Sequence, residues 1–390
     1  MINQLHDELG RSPLHLAVLR GDAEAVQIHL AASIPLELRD LAGWTALHNA
    51  IRHNHLEAAR LLLEAGADPD AQAPEEISKT WGELIALYLE SDGEINFDLN
   101  FGETPLHLAA SAANCEAVRL LLKAGAKLEI PDHEGRRPLH AAVCGFVADP
   151  GAVADCVRLL IESGAEVEAR DYDGHRPVDS VGSVEILQIL LQAGADLQGR
   201  NGKGGNLLHH STAMGQVELL QELLKLGLPL DSADECGCQA LHYAAARGHA
   251  ELIETLLALG ASADASSRSG VRPLHYACQN GQIAAVRSLL AGGARVDAVN
   301  QDGEQALHWA MRCGIREEIP ETEQRGSADT CFIAEWPVLA ELIRLLLAAG
   351  ADVNAPSSAG EMPLAWARRC ESMPHAHPEL VPFLIGLGAR

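Results

Sequence analysis

The chain has 390 residues, is 47% hydrophobic and 21% charged, and carries a formal net charge of −25. That hydrophobic share builds a core and excludes a disordered chain, while so acidic a surface repels phosphate and speaks against nucleic acid or anionic membrane as partners. Aromatic residues make up only 4%, which favours closely packed helices over sheets.

At the start, "MINQLHDELG" lacks the basic region and apolar run of a secretory signal. No window approaches the roughly 18 apolar residues that span a bilayer. Nine cysteines, an odd number, are expected to be reduced thiols in a cytoplasmic protein. Cys236 and Cys238 have no further ligands nearby to make a zinc site, so neither metal nor cofactor is expected.

A tetrad of the type "TPLH" recurs along the chain, beginning at residues 12, 45, 104, 137, 176, 206, 239, 272, 305 and 362. Most steps are 33 residues, the period of a solenoid unit. Each tetrad is followed by an "LLxxGA"-type ending with Gly66, Gly125, Gly164, Gly194, Gly227, Gly260, Gly293, Gly350 or Gly388; only the first copy has Ser33 there. Each unit reads as two helices and a turn. In "GETPLHLAAS", Thr104 is a helix N-cap and Pro105 sits at the first helical position, where its missing N–H costs nothing. "CEAVRLLLKAGA" supplies the second helix, which Gly125 ends in a left-handed conformation. "PDHEG" at 131–135 then has turn chemistry.

In chain order the array divides into residues 1–72 (repeats one and two), a helical insertion at 73–99, 100–200 (repeats three to five), and 201–390 (repeats six to ten, with an insertion at 314–338). The first insertion places Ile77, Trp81, Leu84, Ile85, Tyr88 and Leu89 on one helical face. In repeat four, "GFVADPGAVAD" adds six residues between the two helices. Repeat five is short and has Asp179 where the tetrad histidine belongs; "GRNGKGGN" follows it, so a soft joint is expected across 172–206. The last insertion begins charged and proline-containing and ends with Phe332, Ile333 and Trp336, which are expected to fold back onto the array.

These residues resemble the ankyrin repeat family, whose pattern is nearly intact at 40–68 and 234–264. The resemblance covers about residues 7–390 and implies an all-α solenoid of about ten helix-turn-helix units with β-hairpin-like fingers. The recurring histidines then occupy one structural position each, as hydrogen-bonding side chains that tie helix to turn. No catalytic residue is expected.

In this family partners bind in a concave groove lined by finger tips and the exposed side of the first helix. Here those places hold Trp44, Arg52, His53, Phe101 and Tyr172. The residue after the tetrad is aromatic in the last four repeats, Tyr243, Tyr276, Trp309 and Trp366, and stacking aligns these as a stripe. The resemblance implies a monomeric, non-catalytic scaffold, an adaptor or inhibitor, that binds another protein; a partner with a basic patch is electrostatically the easier one. Arginine outnumbers lysine 24 to 5, a bias of GC-rich genomes. The alternatives are therefore a bacterial effector or toxin-immunity protein that occludes its target, or a passive spacer.

Overall fold

Leucine at the third tetrad position and leucine in the middle of the second helix recur in most repeats, and both sets meet in the core. Leu14, Leu47, Leu106 and Leu139 from first helices and Leu62, Leu121, Leu160 and Leu190 from second helices are all essentially inaccessible to solvent. Each such side chain contributes about 1.5–3 kcal/mol of burial. A computed structural model describes residues 7, 10–40, 42–73, 102–144, 149–311, 336–370 and 378–390. Residues 74–99 of the first insertion, and Phe101 with them, lie outside the described residues, as do 314–335 of the last.

The chain forms two compact units, Met1–Leu197 and Gln198–Arg390. In the first, the paired helices are Pro13–Leu19 with Ala23–Ala31, Ala46–Arg52 with Leu56–Glu64, Pro105–Ser111 with Cys115–Lys123, and Pro138–Cys144 with Pro150–Glu162. Repeat five closes this unit with a 3-10 turn, Pro177–Ser180, and the helix Val184–Gln192. The second unit continues in the same way from Leu207–Ala213 to Leu380–Gly386. Within each unit, first helices pack on first helices and second helices on second.

The architecture is all-α, as expected, and the fingers are hairpin-like turns. Among the described residues they have no regular strands and one isolated antiparallel bridge, Ala233 to Gln239. Each finger is closed locally: Asp132 N–H donates to the Arg136 carbonyl at 2.8 Å and Gly135 N–H to Asp132 at 3.0 Å.

Gly125 ends its helix at φ +93°, and an added Cβ there would meet open space, so glycine is favoured for backbone conformation alone. Ser33 occupies the equivalent turn at φ +55°, at a cost of about 1–2 kcal/mol for a residue with a Cβ.

Two insertions differ from expectation. The extra residues of repeat four extend the second helix, which runs thirteen residues from Pro150, with Asp149 as N-cap. Trp336, expected within the last insertion, belongs to the helix Trp336–Ala348. Its indole meets the Phe383 ring edge-on, with centroids 5.3 Å apart.

Candidate protein-binding surface

The tetrad histidine builds the surface from beneath. In eight repeats its Nδ1 accepts the backbone N–H of the residue three before it, as in Thr104 N–H to His107 at 3.1 Å. Only Ser12, Thr45, Thr104 and Asn206 add a side-chain cap of their own. Gln239 and Arg272 add none. The histidine therefore closes the helix start whatever the tetrad's first residue is.

The other ring nitrogen reaches further than its own turn. Nε2 of each histidine lies 3.0–3.2 Å from a backbone carbonyl in the finger of the next repeat: His15 to Trp44, His107 to Arg136, His242 to Val271, His275 to Glu304. His48 reaches Glu103, and His308 reaches Glu361, each across an insertion. The long insertions thus leave the repeat-to-repeat register intact.

A carbonyl only accepts and a backbone N–H only donates, so these bonds select the neutral tautomer with its proton on Nε2, except at His209, where Asn206 Oδ1 also lies 2.6 Å from Nδ1. Burial opposes charge in the same direction. Desolvation brings His48, His107, His242 and His275 down to about 4 and also lowers His140, His209 and His308. Neutral rings in these bonds have neither lone pair nor proton left for acid–base chemistry.

The finger fixes the first-helix side chain that follows the histidine. Tyr243 donates its hydroxyl to Asp234 Oδ2 at 2.7 Å, and Asn49 donates its amide to Asp40 Oδ2 at 3.2 Å, nine residues apart in both cases. The Trp309 indole N–H donates to Glu304 Oε2 at 2.9 Å. Arg369 pairs with Glu361 and lies over the Trp366 ring, 5.2 Å from its centroid. Sequence reasoning passed over these carboxylates, although the nine-residue spacing from finger Asp to the residue after the histidine was there to be read.

The aromatic stripe is in large part packing. Tyr243, Tyr276 and Trp309 each stand edge-on to the histidine of the preceding repeat, with centroids 5.4, 6.0 and 5.5 Å apart, and Tyr276 also meets Trp309 at 5.8 Å. Tyr276 is only 7% exposed and Trp309 9%, because they fill the crease between finger and helix; Tyr243 and Trp366 are half-buried.

In the first unit, Trp44 is buried and stacks on His48 at 6.5 Å, while the half-buried Arg52 guanidinium covers it at 5.0 Å. Here the structure brings together two residues that the sequence names separately. His53 is exposed beside them, and Tyr172 stands on a finger tip, 74% exposed. Phe101 falls outside the described residues.

Repeat five replaces the histidine device. Asp179 accepts the Arg176 backbone N–H at 2.8 Å and grips the guanidinium through both oxygens, at 3.0 and 2.9 Å. Arg176, 1% exposed, also donates to Glu168 and to the Asp196 carbonyl. A carboxylate has no proton to give, so this repeat lacks the donor that the other tetrad histidines supply.

Within each unit, paired helices and short turns joined repeat to repeat by a buried side chain define a helical-repeat protein. Among the described residues no cluster of His, Cys, Asp or Glu is placed to hold a metal ion, and no helix is long and apolar enough to cross a membrane.

The family model for ankyrin repeats (3 copies) matches residues 2–73, 78–171, 175–267 and 259–319, and the chain belongs to the ankyrin repeat family. It is 31% identical over 143 residues to the nuclear factor NF-kappa-B p105 subunit of Gallus gallus, covering 33% of this chain and 14% of that protein. To ankyrin repeat and SOCS box protein 3 of Homo sapiens it is 29% identical over 147 residues, covering 35% and 28%. To the B-cell lymphoma 3 protein homolog of Mus musculus it is 33% identical over 148 residues, covering 35% and 33%. The chain thus spans a third or less of the length of these relatives. The crystal structure of the human ASB11 ankyrin repeat domain aligns with a TM-score of 0.49 at 22% identity, over 64% of this chain and 99% of that one. Ankyrin repeats are commonly protein-binding modules and usually non-catalytic.

Proposed function

We propose that this chain is a non-catalytic scaffold, an adaptor or inhibitor, that binds another protein on the face formed by its fingers and first helices and acts by occupying its partner's surface. The observation that carries this reading is pre-organisation. Arg52, Tyr243 and Trp366 are each held by a neighbour, Trp44, Asp234 and Arg369, yet each keeps part of its surface in solvent. Side chains fixed before binding lose little entropy on contact, so the area they bury is converted to affinity more fully.

The test is capture by the purified chain, from a lysate of its own organism, beside a variant carrying Arg52→Ala, Tyr243→Ala and Trp366→Ala. Circular dichroism first establishes that the two are equally folded. The partner is expected to bind the native chain and to be lost, about tenfold or more, from the variant. Equal capture by both would move the site off this face.

A further inference from the structure

Most large apolar side chains of the first unit are covered, and Tyr172 is the clearest exception. It is 74% exposed at the tip of the finger 171–175, yet it is well anchored. Its backbone N–H donates to the Glu134 carbonyl in the finger of repeat four at 2.9 Å. Its ring edge rests on the turn at Gly135, where an added Cβ would stand 2.7 Å from Cδ1. One edge is held by backbone, and most of the ring faces solvent.

Two carboxylates flank the ring, Asp171 and Asp173, and His175 on the same finger lies 3.6 Å from Asp171. Asp171 accepts the His175 backbone N–H at 2.7 Å, and exposed Asp173 has no ion pair among the described residues. The cations nearby are engaged: Arg136 with Asp132 and Glu134, Arg137 with Glu129, and Arg170 with the Gly174 carbonyl at 2.7 Å. An aromatic face carries negative potential, and here it lies beside an open carboxylate on a chain of net charge −25.

We propose that the finger tip of repeats four and five takes an arginine or lysine side chain of a partner protein, with the cation over the Tyr172 ring and Asp173 accepting its N–H groups. This deepens the reading of the chain as a protein-binding scaffold and rests on it. Both parts of the site favour the same ligand: the ring attracts a cation, and the carboxylate repels an acidic segment and would be desolvated without compensation by an apolar one.

The test uses the full chain and a fluorescein-labelled octa-arginine peptide, with octa-glutamate as control, followed by anisotropy at about 0.02 and 0.15 M salt. Tyr172→Ala is expected to weaken octa-arginine binding about fivefold. Tyr172→Phe keeps the ring face and should stay within about twofold of the native chain. Asp173→Asn should weaken binding and flatten its salt dependence. Glu218→Gln, a charge change on a second helix of the other unit, controls for diffuse attraction and should change little. The proposal is overturned if octa-arginine fails to bind, or if Tyr172→Ala binds as tightly as the native chain. Either failure leaves the capture experiment on Arg52, Tyr243 and Trp366 unaffected, so the two readings fail separately.

Discussion

A single histidine does two jobs in eight repeats: its Nδ1 closes the start of a helix, and its Nε2 holds the next finger. Losing it would leave a buried N–H and a buried carbonyl without partners, each costing about 1–3 kcal/mol. The same bonds make the fold sensitive to acid. His48, His107, His242 and His275 titrate near 4 in the folded chain against 6.5 for a free histidine. The unfolded chain therefore takes up protons that the folded chain refuses. Their contribution is fully present above about pH 6.5, falls as the pH drops through the window to about 4, and levels off below it. Each group adds a slope of about 1.4 kcal/mol per pH unit in that window. Urea midpoints measured at pH 7, 6 and 5 should fall steadily; a flat profile would contradict the neutral, buried assignment.

At the level of the element, repeat five is the instructive case. The sequence shows Asp179 in the place of histidine but not its answer, because the compensating group, Arg176, stands where other repeats have threonine, serine, asparagine, glutamine, methionine or arginine. Only folding shows that the guanidinium turns inward to that carboxylate. Asp179→Ala would leave the buried guanidinium with only the half-exposed Glu168 as carboxylate partner and is expected to cost about 3 kcal/mol. The double variant Arg176→Thr with Asp179→His reinstates the pair seen at Thr104 and His107 and should recover most of that loss. Thermal unfolding of both variants provides the check, and a double variant no more stable than Asp179→Ala would refute the equivalence.

Other elements were legible to different degrees. The glycine ends and the Thr104 cap follow from local chemistry, and the structure has them where the 33-residue period places them. The extra residues of repeat four and Trp336 were assigned to insertions, because a period marks the expected length of a helix and not its extension by a turn. The stripe at Tyr243, Tyr276, Trp309 and Trp366 was legible as an alignment. Its burial was not, since exposure of a residue after the histidine depends on what its own finger and the preceding histidine place against it.

For the whole molecule, stability in a repeat array is the sum of repeat terms and neighbour terms. Repeat five has a four-residue first turn and no histidine donor. Amide exchange is therefore expected to be faster across 172–206 than in repeats two to four or seven to nine; equal protection would remove the soft joint.

Charge is distributed unevenly as well. On second helices Arg60 pairs with Glu57 and Glu64, and Arg158 bridges Asp155 and Glu185, exposed pairs that each contribute little to stability. First helices carry Arg52, Arg247, Arg368 and Arg369, and their one carboxylate, Asp179, is buried. Within either unit, a partner on fingers and first helices would meet arginines along the helices and carboxylates along the fingers, a pattern that fixes orientation more than affinity.

The central claim is that partners engage fingers and first helices. Site-specific photo-cross-linking tests it most directly, with the photoreactive residue placed at exposed His53, Tyr172 or Arg247, or at exposed Arg119, Glu218 or Glu251 on second helices. The account predicts that a partner is trapped from at least one of the first three positions and from none of the second three. Trapping from the second-helix positions alone would contradict it.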